Sequence, residues 1–415
     1  MQKYKNKVRI NLGETTIVYM LICVILLTLI SLLFIFDHYE NADETRRLEN
    51  LAYQGRQDEI KNEAEQAAIR EREENDSFYQ RLADGLDVRI LIVGDSIGNG
   101  RGASAPEYTW AELLKDDLER EYGISADVVN RSMNDSTAYS GYVNVMLEDE
   151  NEPYHAVLVC FGEDDRQNNF DVYYEGIIRA AQKKYPRAAI LSIMENTSRR
   201  YTDNMQVIHR LSELYGIPCA DTISAADYRE NQYEGILNDA GYPTDEGQRL
   251  YADTLMALIR TNAEQYTDLP DALTEMADED TAWFGTLNAI PSDAFARQGN
   301  TFVYEVHGEA VSGKIIGIEY DYVTGNNNCL IYFDSTGQIA GQAIFNNTLQ
   351  YDSGDQLNGS NPHHIRVMNE WISDYGTVSG RIVSASNQIR VVFPENANGT
   401  VQADSFRRLL ISDAE

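Results

Sequence analysis

The stretch Arg89-Ile-Leu-Ile-Val-Gly-Asp-Ser-Ile-Gly98 decides the fold. From Asp87 to Val93 the chain carries a short apolar run bounded by polar residues, the pattern of a strand buried on both faces of a parallel sheet. Ser96 follows at its C-terminal end. Gly94, Gly98, Gly100 and Gly102 free the backbone around that serine, and Thr109 to Leu118 then takes helical spacing. Ser96 is thus expected in a strand-to-helix turn, the place where open α/β sheets keep ligands and catalytic groups. Gly94-Asp-Ser96-Ile-Gly98 fits the Gly-x-Ser-x-Gly nucleophile elbow letter by letter, although small residues recur in plain βα turns as well.

Outward from this stretch, strands are predicted at Val88 to Val93, Ala126 to Asn130, Ala156 to Phe161, Ala188 to Met194 and Pro218 to Ile223. Helices are predicted at about 109–122, 171–184, 204–215 and 245–262. The alternation gives an α/β domain over 85–263, a parallel sheet with helices on both faces.

Gly94-Asp95-Ser96 on the first strand, followed by three further blocks in order, resembles the SGNH, or GDSL, hydrolases. The resemblance covers less than half of the chain. It implies a Ser-His-Asp triad with Ser96 as nucleophile and the Ser96 backbone N–H as first oxyanion donor. The second block is similar to Asn130-Arg-Ser-Met-Asn134-Asp135-Ser136-Thr137, with Asp135 at a glycine position whose N–H is a further donor. The third, Gly-x-Asn-Asp in the family, reads Gly162-Glu163-Asp164-Asp165, so an ionised acceptor stands where an asparagine would donate. The fourth, Asp-x-x-His-Pro, reads Asp239-Ala-Gly-Tyr242-Pro243: the carboxylate is kept and the base is a tyrosine. A phenol with an ordinary pKa near 10 is a poor acceptor for a serine proton at neutral pH. His155 precedes the third strand, at the edge away from Ser96, and His209 lies in a helix pattern. His363-His364 could reach across a domain interface but reads as an exposed loop pair. Asp135, Asp164, Asp239 and Asp95 are also of the type that gathers around a hard cation such as Ca²⁺. The aspartate of Gly-Asp-Ser is structural in the family, so neither a metal nor a cofactor is expected.

Ahead of this domain, Thr15 to Phe36 carries no charged residue and is long enough to cross a hydrocarbon core of about 30 Å. Lys3, Lys5, Lys7 and Arg9 precede it while Asp37 and Glu40 follow. The positive-inside rule therefore places residues 1–14 in the cytoplasm and the bulk outside a bacterial cell. No small-residue cleavage site ends the run, so 15–36 reads as an uncleaved signal anchor. Residues 37–84, rich in Glu, Arg, Gln and Ala, read as a polar helical stalk, and as one helix the stretch to Ala83 would reach roughly 65 Å. Four cysteines spread over the chain, one of them in the apolar run, make no disulfide framework and no zinc spacing.

Residues 264–280 read as an acidic linker. Beyond Thr301 short β-rich runs alternate with Gly/Asn/Asp/Ser turns, and 281–415 is expected to form an antiparallel β-sandwich of jelly-roll type. Such a domain resembles carbohydrate-binding modules, with Tyr304, Tyr320, Tyr322, Tyr332, Tyr351, Trp371 and Tyr375 available for stacking, although aromatics at alternating strand positions are more often core. The net charge of −32 argues against nucleic acid. Two functions remain open. One is a non-hydrolytic surface protein that binds cell-envelope polysaccharide or another surface protein. The other is an ester hydrolase or O-acyltransferase on such a polysaccharide, with Ser96, Asp239 and an unidentified base.

Overall fold

The computed structural model describes residues 13, 17, 19–38, 56, 60–61, 77–149, 153–165, 169–197, 199–265, 275–321, 325–326, 329–335, 338–345, 348–349, 365–371, 373–374, 377–379, 383–393 and 403–414. The chain divides into two compact units, Met1–Glu74 and Asn75–Glu415. In the first, helix α1 (Tyr19–His38) has 20 residues, a mean hydropathy of 2.9 and no buried position. At 1.5 Å per residue that length matches a hydrocarbon core, and the same helix suits either a membrane span or a signal sequence.

The stalk expected over 37–84 lies mostly outside the described residues, and its end needs correction. Helix α2 (Phe78–Ala83) is capped by Ser77, whose Oγ accepts from the Gln80 N–H. Phe78, Tyr79 and Leu82 are buried in the same core as Trp110 and Ile259. The apolar residues at i, i+1 and i+4 make α2 part of the α/β domain, not of a solvated rod.

Five parallel strands follow: β1 (Val88–Gly94), β2 (Ala126–Asn130), β3 (Ala156–Cys160), β4 (Ala189–Met194) and β5 (Cys219–Asp221). Their order is β2-β1-β3-β4-β5. β1 pairs with β2 through Ile92↔Asn130 on one side and with β3 through Gly94↔Cys160 on the other. The chain reverses its direction of travel across the sheet at β1, so Ser96 emerges at the topological switch point, where such folds form a crevice.

Helices α3 (Trp110–Tyr122) and α8 (Asp245–Glu264) cover one face with α2. The other face is covered by α4 (Ala138–Leu147), α5 (Phe170–Lys184) and α6 (Asp203–Tyr215). The short helix α7 (Thr222–Asp227) follows β5 and starts on Asp221, whose carboxylate accepts from the Ile223 and Ser224 N–H groups. The sequence reading lacked α4 and α7. Seven of the ten α4 residues are buried, so the segment shows no polar face by which a 3.6-residue period could be recognised.

The C-terminal part is an antiparallel sandwich, as expected. One sheet orders Ile365–Trp371, Ile315–Asp321, Phe406–Asp413 and Thr286–Pro291; the other orders Gln338–Phe345, Cys329–Ser335, Gln388–Val392, Thr301–Glu305 and Ala296–Gln298. Ile316, Ile318, Leu409 and Ile411 of the first meet Ile331, Phe333, Ile389 and Val391 of the second in one core. This sandwich is not strung on a free linker. Phe284 packs edge-on against Tyr142 and Tyr173, with ring centroids 4.8 and 5.6 Å away. The Tyr142 hydroxyl donates to the Thr286 carbonyl at 3.0 Å. Buried Glu175 of α5 accepts from Ala277 N–H and Thr281 Oγ1, both at 2.7 Å, so the end of the expected 264–280 linker is held against α5.

Candidate active-site cleft

Ser96 stands where the sequence placed it, on the turn after β1, and is fully buried. The crowded turn explains two of its glycines: a Cβ on Gly94 would lie 2.7 Å from the Cys160 carbonyl oxygen, and one on Gly98 would lie 2.6 Å from Ser132 Oγ. Asp135 takes a left-handed φ of 56°, the backbone expected of the glycine it replaces, and this aims its N–H at Ser96 Oγ, 3.0 Å away. Gly162 has φ 136°, and its N–H donates to Asp95 Oδ2 at 3.3 Å.

Asp164 dominates the arrangement. Its Oδ2 accepts from Ser96 Oγ at 2.5 Å, from the Ser96 N–H at 3.1 Å and from the Asp135 N–H at 3.1 Å. An oxygen that takes three donors acts as a carboxylate, although burial raises its pKa, the nearby Asp135 charge raises it further, and the Ser96 bonds oppose both. The two backbone donors that would stabilise an oxyanion are spent on the protein's own side chain.

Tyr242 reaches the site through a cation. The Arg101 guanidinium lies 4.3 Å from the centroid of the Tyr242 ring and donates from Nη1 to Ser96 Oγ at 3.3 Å and to Asp135 Oδ1 at 3.2 Å. The hydroxyl of Ser96 is therefore approached by a positive donor on the side where catalysis requires a neutral base. The Tyr242 phenol is half-buried and its pKa is raised, chiefly by burial, so it stays protonated at neutral pH.

Several expected site residues lie elsewhere. Asp239 is exposed and makes no hydrogen bond or ion pair among the described residues; the turn is held by Asn238, whose Oδ1 accepts from the Ala240 and Tyr242 N–H groups. Asn130 is a brace that donates to the Gly98 carbonyl and accepts from the Ser132 N–H. Asp95 is fully buried and accepts from the N–H groups of Ile97, Gly162 and Asp164. No grouping of His, Cys, Asp and Glu suited to a metal occurs among the described residues. His155 Nδ1 accepts from the Arg89 N–H at the start of β1, and burial lowers its pKa to about 4. His209 is exposed on α6, and His363-His364 lie outside the described residues.

Two functional neighbours escaped the sequence reading. Arg101 sits five residues after Ser96 in the glycine-rich turn, a charged residue in a stretch otherwise built from small ones. Glu195, at the end of apolar β4, is buried against Asp95, accepts from the Glu163 N–H at 2.6 Å and from Cys160 Sγ at 3.4 Å, and has its pKa pushed up to about 8, mainly by burial. The Asp95 pKa is likewise raised by burial and by Glu195. This carboxyl pair holds the 162–164 loop by three of its N–H groups, and Asn204 Nδ2 holds the Gly162 and Asp165 carbonyls at 2.9 Å. Asp164 is thus carried on a fixed support.

Among the predicted aromatics of the sandwich, Tyr304 packs on Phe295 against the core, and the Tyr332 ring lies under Arg390. Both serve packing rather than an open stacking face. The side chains of Tyr320, Tyr322, Tyr351, Trp371 and Tyr375 lie outside the described residues.

Residues 92–250 match the GDSL-like lipase/acylhydrolase family model, in keeping with the SGNH-like fold of the α/β domain. Two structures of a two-domain esterase (CEX) active on acetylated mannans resemble the chain over both domains. One has a TM-score of 0.56 at 14% identity, covering 81% of this chain and 94% of that one. The other, co-crystallised with mannopentaose, has a TM-score of 0.54 at 14% identity, covering 80% and 93%. An acetylxylan esterase from Geobacillus stearothermophilus matches at 16% identity and a TM-score of 0.35, over 42% of this chain and 94% of its own. No curated protein matches the chain. At such identities the likeness is one of fold.

Proposed function

We infer that this is a membrane-anchored, extracytoplasmic SGNH-type protein that binds through its cleft without hydrolysing esters, its ligand being cell-envelope polysaccharide or another surface protein. The observation that carries this reading is Asp164 Oδ2 in the oxyanion position, bonded to Ser96 Oγ, Ser96 N–H and Asp135 N–H. An ester carbonyl would have to displace an anionic acceptor to reach those donors. Losing the triad base costs about 10⁴-fold or more, and losing an oxyanion donor about 10²–10³-fold. The exposed α1 helix and the lysines and arginine before it support a cytoplasmic N-terminus with the bulk outside.

A second reading draws on the same contact. Asp164, close to Ser96 Oγ and with a raised pKa, is the only described group placed to act as the missing base of an esterase or O-acyltransferase. Asp164→Asn separates the two. On the non-hydrolytic reading this change restores a donor, and p-nitrophenyl acetate turnover stays at background or rises, most of all together with Tyr242→His. On the second reading turnover is measurable in the parent and Asp164→Asn abolishes it.

A further inference from the structure

We propose that Arg199 and Arg200, with the ring of Tyr233, form a subsite at the rim of the Ser96 cleft for a negatively charged group on a glycan, a carboxylate or a phosphate. The proposal rests on the reading of the cleft as a glycan-binding site and gives that ligand its charge. Thr197, two residues before Arg199, borders the cleft: its Oγ1 bonds the carboxylate of Glu163, next to Asp164, and a Cβ on Gly241, next to Tyr242, would lie 3.6 Å from the Thr197 carbonyl oxygen.

Three observations point to an anion. Both arginines are exposed, and neither makes a hydrogen bond or ion pair among the described residues. Elsewhere on this acidic domain arginines are met by carboxylates, as in Arg89–Asp127, Arg131–Glu148 and Arg260–Glu121. Second, the Arg199 guanidinium lies 5.5 Å from the centroid of the Tyr233 ring, a cation–π distance, and a guanidinium suits a bidentate oxyanion. Third, Arg199 at φ 54° and Gln232 at φ 48° hold left-handed backbone, and the remaining described residue of this kind other than glycine is Asp135, at the oxyanion position. Left-handed backbone at such residues costs on the order of 1 kcal/mol and tends to persist where a site requires the direction it gives. Asp227 is the other charged neighbour of Tyr233, so an anion bound at Arg199 must outweigh its repulsion.

The test uses the full chain in detergent and three size-matched probes: pentagalacturonate, pentamannose 6-phosphate and neutral mannopentaose. At least one charged probe is expected to bind ten-fold or more tighter than mannopentaose, with an affinity that falls as salt is raised. Which of them does so identifies carboxylate or phosphate as the group read. The double variant Arg199→Ala/Arg200→Ala should lose that ten-fold advantage and bind mannopentaose as before. Equal binding of all three probes, or a charged probe held unchanged by the double variant, overturns the subsite while leaving glycan binding intact. Failure of all three to bind overturns the glycan reading as well.

Discussion

The buried carboxyl pair behind the cleft makes the stability of this protein depend on pH in an unusual direction. Unfolded, Glu195 takes an ordinary value of 4.5; folded, burial pushes it up to about 8. The native state therefore holds a proton that the unfolded chain gives up, and stability falls as pH rises between the two values. Each pH unit in that interval is worth about 1.36 kcal/mol, so the effect is on the order of 5 kcal/mol at most, and less because Asp95 and Glu195 share their proton. Asp165, raised to about 7 by burial, adds in the same direction. Glu195→Gln keeps the shape, offers Asp95 an N–H donor and removes the titrating group. Urea unfolding of Asn75–Glu415, followed by tryptophan fluorescence, to which buried Trp110 contributes, should show the parent losing stability steadily from about pH 5 to pH 8. The variant should lose less, its remaining decline coming from Asp165 and from Asp95 and Asp164, which burial also raises. Parallel curves for parent and variant, or a parent stable to pH 8, would refute the shared-proton account.

Phe284→Ala should remove about 3–5 kcal/mol, because its 5% exposed ring joins Tyr139, Tyr142 and Tyr173 to the sandwich; a loss under 1 kcal/mol in urea unfolding would mean that the domains do not lean on this contact. Gly102→Ala forces a Cβ to 2.4 Å from the Pro243 carbonyl oxygen at a backbone φ of 100°, so it should cost at least about 1–3 kcal/mol and disturb the Tyr242 turn, which a lowered thermal midpoint would report. Asn204→Ala withdraws two hydrogen bonds from the 162–165 loop and should cost about 1–3 kcal/mol, with faster amide exchange at Gly162 to Asp164 as its local signature.

Sequence periodicity made the five parallel strands legible because each is buried on both faces and reads as a short apolar run. The same uniform burial hid α4, whose lack of a polar face leaves no period to read. Ser96, Asp135 and Asp164 could be placed from order and spacing, since the βα turns of this fold bring strand ends together regardless of the residues they carry. Asp239 could not: spacing put it near the base position, but Asn238 shapes the turn and leaves Asp239 in solvent. Arg101 and Glu195 act through contacts with residues far along the chain, Asp135 and Asp95, and such pairings leave no local pattern. The end of the stalk was missed for a different reason, because a single turn at Phe78-Tyr79-x-x-Leu82 is too short to separate from a polar helix until its partner α8 is in view.

On the proposed reading Ser96 no longer turns over esters, its donors being occupied by Asp164. The direct measurement is hydrolysis of p-nitrophenyl acetate and of acetylated mannan by the parent beside Ser96→Ala, at equal concentration and pH 7. Equal rates at background are predicted. A parent that exceeds Ser96→Ala by ten-fold or more on either substrate would contradict the account and assign the serine a working base.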